Sequence, residues 1–195
     1  MKGKGPRMEQ VVADAAELTP AARQILQVAS DLFYDGGIHA IGVDTIAAES
    51  GVTKRTLYNN FGSKDMLVAA YLKNRHSRWW QRLEERLAAA ERPRALAVFD
   101  MYADDARTIG RGCAFLNAAA ELPADHPAYG IIRYHKTSVE ERLVELIAED
   151  RPATATPERL ARHLFLLLEG AFAHHAIHGA GLLAEARETA GGLLK

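Results

Sequence analysis

Apolar residues recur every three or four positions along most of this chain. Ala22, Ile25, Leu26, Ala29, Leu32 and Phe33 share one side of a helix. Thr19-Pro20 opens it as N-cap and first-turn proline, and Gly36-Gly37 ends it by permitting a left-handed cap. A short second helix carries Val43, Ile46 and Ala47 on one side and closes at Gly51. Thr53 caps a short third helix with Leu57 and Phe61 inward, and Ser63 caps a long fourth helix. That fourth helix turns Leu72, Trp79, Trp80, Leu83 and Leu87 inward until Pro93 stops it. Beyond it the pattern predicts helices near 94–109, 112–122, 127–149, 157–178 and 182–194, punctuated by Pro123, Pro127, Pro152 and Pro157. Alternating β-branched runs between turn pairs are absent, as are internal repeats and low-complexity tracts. The pattern predicts an all-α chain whose first 17 or so residues, with Gly, Pro and charges, form a frayed terminus.

With 195 residues, 48% hydrophobic and 25% charged, the chain can build a sizeable core in one domain or two small ones. Its net charge of −1 gives no global reason to expect a nucleic-acid partner. The distribution changes that picture. Between Thr53 and Arg82 stand seven basic residues (Lys54, Arg55, Lys64, Lys73, Arg75, Arg78, Arg82) against one acid, Asp65. The compensating acids lie elsewhere, so the two halves suit different partners. The single cysteine, Cys113, excludes an intrachain disulfide and an all-cysteine metal site, and a reducing compartment follows naturally. The basic N-terminus is followed by no apolar segment, and no apolar run approaches the roughly 18 residues of a membrane span. Cytoplasmic localisation without a membrane partner is the expectation.

The stretch "GVTKRTLYNNFGSKDML", Gly51 to Leu67, carries the chemistry. Two short helices joined through "SGVT" form a helix-turn-helix pattern. Gly51 allows the positive φ of the tight turn and Val52 fills the gap between the helices. Ile46, Ala47, Leu57 and Phe61 bury the inner faces, which leaves Lys54, Arg55, Thr56, Tyr58, Asn59 and Asn60 for the outer ones. Such donor-rich side chains read base edges and grip phosphates, and the free N–H groups of a helix N-terminus add to the attraction for anions. The alternative is a solvated helix face beside a tight corner.

The segment "VDTIAAESGVTKRTLYNNFGSKDMLVAAYL" resembles the DNA-binding part of the tetracycline-repressor (TetR) family of bacterial transcription regulators. The likeness spans roughly residues 20–72: a first helix ending in Gly36-Gly37, the "IA…GV" corner, "TLY..F", and "SK" opening the fourth helix. It implies an all-α homodimer with an N-terminal three-helix DNA-binding head, residues 18–64, and a C-terminal ligand-binding and dimerisation domain, residues 65–195. It also implies double-stranded operator DNA and a small-molecule effector as partners, a repressor's mode of action, and no enzymatic activity. By position, Gly42, Thr53, Lys54, Arg55, Thr56, Tyr58, Asn59, Asn60 and Lys64 become the DNA-contacting residues. Lys54, Arg55, Thr56 and Asn59 would lie along the major groove, and Tyr58 and Lys64 on phosphates. Two positions depart from the family pattern. Gly42 stands where many members open the second helix with Thr or Ser, and Asn60 where many have His or Tyr.

"GCAFLNAAAELPADHPA" and "LLEGAFAHHAIHG" resemble the ligand and dimer half of one broad branch of the family. The helix at 157–178 is apolar on several sides, around Leu160, Leu164 to Leu168, Ala171 and Phe172. Burial on several sides suits a partner subunit, or a central core helix in a monomer. Trp80, Tyr102, Cys113, Asn117, Glu121, His135, Phe172 and His175 are the tentative pocket residues, suited to a largely apolar ligand. His174 and His178 are spaced i, i+4 beside His175, but no acid completes a zinc site, so no metal or cofactor is expected. Cys113 reads as a small buried residue, since no base accompanies it in sequence. "GAGLLA" at 179–184 matches a dinucleotide fingerprint only formally, because a helix and not a strand precedes it. The rival reading is an enzyme or metal-binding protein that uses the C-terminal cavity.

Overall fold

The computed structural model describes residues 18–108, 110–179 and 181–195. The reading of the first 17 residues, and Ala180 of the formal glycine motif, lie outside them. Among the described residues there are helices and no strands. The helices are α1 (Pro20–Gly36), α2 (Val43–Glu49), α3 (Lys54–Phe61), α4 (Lys64–Ala88), α5 (Ala95–Thr108), α6 (Ala114–Glu121), α7 (Tyr129–Asp150), α8 (Pro157–His178) and α9 (Gly181–Leu193). No helix among them is long and apolar enough to cross a membrane.

The chain divides into two compact units. Among the described residues, the first combines residues 18–78 with Ala114–Arg133, and the second combines Trp79–Cys113 with Tyr134–Lys195. The division falls inside α4, which therefore supplies residues to both.

The signals that start and stop the first helices act as the sequence predicts. Thr19 Oγ1 accepts the Ala22 N–H at 3.1 Å, Pro20 fills the first turn, and Gly37 at φ +88° returns its N–H to the Phe33 carbonyl. Ser63 Oγ accepts the Met66 N–H at 3.1 Å to open α4. In the first unit Ile25, Ala29, Ile46, Leu57 and Leu67 have no exposed surface. Each of the Ile and Leu side chains contributes about 1.5–3 kcal/mol of burial. The contacts of α1 with α2 and α3, and of α2 with α3, make this a three-helix core.

In the second unit α8 packs on α9 and both pack on α5. Leu83, Phe99, Leu143, Leu146, Ile147, Leu164 and Leu168 are fully buried. Trp79 is buried, but Trp80 is only half-buried, against the expectation that both turn inward. Successive helical positions stand about 100° apart. Trp79 shares a face with Leu72, Leu83 and Leu87, and Trp80 falls beside that stripe.

One polar contact ties the start of α5 to the end of α7. The nearly buried Asp150 carboxylate accepts from the Arg94 N–H at 2.6 Å and from Arg94 Nε at 2.9 Å, with Arg92 Nε at 3.2 Å. Burial opposes its ionisation, but the Arg94 hydrogen bonds and the charges of Arg94 and Arg92 prevail and hold the carboxyl below its ordinary range. A depressed carboxyl contributes stability that is complete above about pH 5 and is lost as pH falls through its folded-state value. Asp150→Ala should therefore cost about 1.5–3 kcal/mol at pH 7 and flatten the acid limb of the stability curve. Urea unfolding at pH 7 and at about pH 3 measures both effects, and an unchanged acid limb would remove Asp150 from the account.

Candidate nucleic-acid interface

The turn between α2 and α3 is built from backbone hydrogen bonds. Ser50 ends α2 with its buried hydroxyl donating to the Ile46 carbonyl at 2.6 Å. Gly51, at φ +64°, sits in the left-handed region where a side chain would be strained. Its N–H reaches the Ala48 carbonyl, and the Val52 N–H the Ala47 carbonyl at 3.0 Å. From α1, the Gln24 amide donates to the Ser50 carbonyl at 2.9 Å and pins the turn to the core. Thr53 then caps α3, its hydroxyl accepting the Thr56 N–H at 3.1 Å.

Only Leu57 and Phe61 of α3 are buried. The remaining residues form a continuous outer face in which Thr53, Lys54, Arg55, Tyr58, Asn59 and Asn60 are exposed and Thr56 is half-buried. Lys64, half-buried in the first turn of α4, holds its ammonium 6.0 Å from the Phe33 ring centroid.

Two features of this face escape sequence reasoning, and a third, at Gly42, follows from it. Lys54 is ion-paired with Asp44 of α2, which offsets part of the local positive charge. Asn60 turns inward along its own helix: its amide donates to the Thr56 carbonyl at 2.7 Å and its oxygen accepts from the Thr19 hydroxyl at 3.1 Å. Both ends of that side chain are thus engaged within the protein, and it links α3 to the start of α1. Gly42 N-caps α2 with no side-chain hydrogen bond, and a Cβ built there would meet nothing within 4 Å. Among the described residues no carboxylate pairs with Arg55, so its guanidinium is the cation of α3 left to an external anion or base.

The tentative pocket residues separate into two groups. Tyr102, Cys113, His135, Phe172 and His175 lie together in the second unit, all buried. Trp79 meets the Tyr102 ring edge-on at 5.7 Å and the His135 ring at 5.1 Å; Phe172 lies 4.9 Å from Tyr102 and stacks on His175 at 5.2 Å. The Tyr102 hydroxyl donates to Glu169 Oε1 at 2.8 Å, and Lys136 Nζ bridges Glu169 Oε2 at 2.5 Å and Cys113 Sγ at 3.4 Å. Burial first, and then the Glu169 charge, push the Tyr102 phenol well above its ordinary value, so it stays a donor. Trp80 borders this cluster beside Trp79, at 6.1 Å between rings. Asn117 and Glu121, on α6, belong to the first unit instead. The Glu121 carboxylate there accepts the His39 N–H at 2.8 Å. Glu169 and Lys136 had no signal in sequence. His174 and His178 are exposed, with rings 6.1 Å apart, and among the described residues no three His, Cys, Asp or Glu side chains stand close enough to hold a metal. An open groove of about 720 Å³ at the α4–α5 corner is lined by Arg86, Arg92 and Arg187, each already paired with an aspartate.

Residues 25–71, which hold α2, the turn and α3, match the family model of "bacterial regulatory proteins, tetR family". A TetR-family transcriptional regulator from Streptomyces coelicolor has a structure that superposes with a TM-score of 0.80 at 30% identity, covering 89% of this chain and 94% of that one. The chain belongs to the TetR family. The reduced form of Escherichia coli NemR shares the fold, with a TM-score of 0.76 at 20% identity over 89% of this chain and 96% of that one. Among curated relatives, the activator FasR of Mycolicibacterium smegmatis is 49% identical over 49 residues, and a repressor from Mycobacterium tuberculosis is 45% identical over 51. Those matches cover 25% and 26% of this chain but only 22% and 27% of the relatives, about a quarter of their length.

Gly42 generates a stability prediction. Its φ of −84° suits any residue and the space beside it is open. Gly42→Ser should supply the missing cap of α2 and raise stability by a few tenths of a kcal/mol, or about 0.3. Thermal melting checks this, and a lower melting temperature in Gly42→Ser would show that the cap position tolerates only glycine.

Proposed function

We propose that this protein is a DNA-binding transcription regulator, most simply a ligand-responsive repressor that grips a near-palindromic operator as a homodimer. The observation that carries this reading is the outer face of α3. Leu57 and Phe61 fix its roll, the Gly51 turn fixes its position, and Arg55, Thr56, Tyr58 and Asn59 are turned out together. Arg55 has the fork geometry for a guanine edge, Thr56 and Asn59 suit base edges, and Tyr58 and Lys64 suit phosphates. Lys54 reaches DNA only by exchanging Asp44 for a phosphate, and Asn60 serves α3 itself.

Dimerisation is supported by α8. One face is buried through Leu164, Leu168, Ala171 and Phe172, while Leu166 and Ile177 stand 62% and 77% exposed. Large aliphatic side chains in that state on a core helix suit a second copy of the chain, and a two-fold pair would present two α3 helices to one duplex. The aromatic cluster with the Lys136–Glu169 pair supports an effector site in the second unit, since a few placed polar groups among aromatic rings are the usual lining of such sites. An effector would act by preferring the state in which the two α3 helices no longer fit successive grooves. The regulators similar over about a quarter of this chain include both an activator and a repressor, so that likeness carries no sign of regulation. Regulation, and not catalysis, is the activity this arrangement supports.

Footprinting on the DNA flanking its own gene, with sedimentation of the complex, tests the reading. Two half-sites about 34–36 Å apart and a dimer are expected; a monomer on a single asymmetric site would overturn it. Lys64→Ala should weaken all sequences alike and lower the salt slope by about one. Arg55→Ala should cost roughly 1–3 kcal/mol and relax preference at one base pair. Identical sequence preferences in Arg55→Ala and wild type would remove base reading from Arg55.

A further inference from the structure

We propose that Glu121 and His126 are positioning residues that clasp the helix-turn-helix at both of its ends. The inference rests on the DNA-reading role proposed for α3. It concerns residues that stand outside the proposed DNA face.

Glu121 ends α6, where the last carbonyls of a helix have no partner within it. Its carbonyl accepts from His39 Nε2 at 2.6 Å, so that ring nitrogen carries a proton. Its side chain turns to the same residue, and Oε2 accepts the His39 main-chain N–H at 2.8 Å. His39 lies in the turn between α1 and α2, three residues before the Gly42 cap. Gly37 makes the approach possible: a Cβ there would stand 3.2 Å from Glu121 Oε1, and its φ of +88° already requires glycine. One residue of α6 thus supplies both an acceptor pair and a geometric stop for the chain entering α2.

The other end is held by the loop that follows α6. His126 Nδ1 accepts the Ala128 N–H at 3.1 Å, which leaves the ring proton on Nε2. Nε2 faces Asp65 Oδ1 at 3.4 Å, and the His126 side chain is only 7% exposed. Asp65 is in the first turn of α4, three residues after the Gly62 cap of α3. Residues 39 and 65 bracket α2 and α3, and a stretch of only six residues, 121–126, holds both. These links are polar and directional, and each contributes little net stability. Their effect is on where α3 sits, and a recognition constellation has to be held to within about 0.5 Å.

The test uses full-length wild type, Glu121→Ala, Glu121→Gln and His126→Ala. Three quantities are read: amide exchange of His39 and of α2–α3 without DNA, melting temperature, and affinity for a duplex that wild type selects from a random-sequence pool. Glu121→Ala should expose the His39 amide, leave α1 protected, keep a near-wild-type melting temperature and weaken duplex binding about 2- to 30-fold. Glu121→Gln keeps an oxygen for the His39 N–H and should stay close to wild type in all three. His126→Ala should loosen the start of α4 and weaken binding in the same range. A His39 amide as protected in Glu121→Ala as in wild type, or undiminished affinity in both alanine variants, would overturn the clasp. Should Glu121→Ala fail to fold, His126→Ala against wild type decides. A wild-type chain that selects no duplex would defeat the DNA-reading role itself, and the exchange measurement then judges the clasp alone.

Discussion

The burial of Leu57 is the constraint on which the head depends. α3 has eight residues, and only Leu57 and Phe61 enter the core. A helix held by two side chains has one acceptable roll: turning it by a single residue, about 100°, would withdraw Leu57 and bury a polar neighbour. Leu57 has no exposed surface, as do Ile25 of α1, Ile46 of α2 and Leu67 of α4. That shared core sets the direction of Arg55, Thr56, Tyr58 and Asn59 without any of them contributing to it. The Gly51 turn makes the packing reachable, because its positive φ brings α3 back across α2 within four residues, Ser50 to Thr53.

The second unit solves a different problem, the burial of polar groups. Asp150 is nearly enclosed and is satisfied by Arg94 through its main chain and guanidinium. Tyr102, Glu169, Lys136 and Cys113 form a connected set among the rings of Trp79, His135 and Phe172. No buried side-chain N or O atom among the described residues lacks a partner. A polar set that is fully satisfied specifies one arrangement, and a molecule that exchanged a partner within it would favour another. The effector response proposed above rests on that property.

The helices were legible because their signals are local. Thr19-Pro20, Gly36-Gly37, Gly51, Thr53 and Ser63 each act on backbone groups within four residues, and the core positions follow from a 3.6-residue period. The outer face of α3 was legible for the same reason, as the complement of Leu57 and Phe61. What the sequence concealed is pairing over distance. Glu121 reads as a pocket carboxylate until His39, 82 positions away, is seen beside it. Asn60 reads as a DNA-contacting residue until Thr19 is found on its oxygen. Glu169 and Lys136 lie 33 positions apart and carry no motif that joins them. Trp80 differs for a local reason: it stands one position, about 100°, off the stripe of Leu72, Trp79, Leu83 and Leu87, and that rotation leaves it half-buried.

Site-specific photo-crosslinking tests most directly whether the outer face of α3 meets DNA. Tyr58 of α3 and Tyr134 of α7 are exposed to similar degrees, 44% and 47%, so a photoreactive phenylalanine analogue replaces either without disturbing a core. With a duplex that the protein selects, position 58 should crosslink efficiently and position 134 should not. Crosslinking from position 134 with none from position 58 would contradict the account.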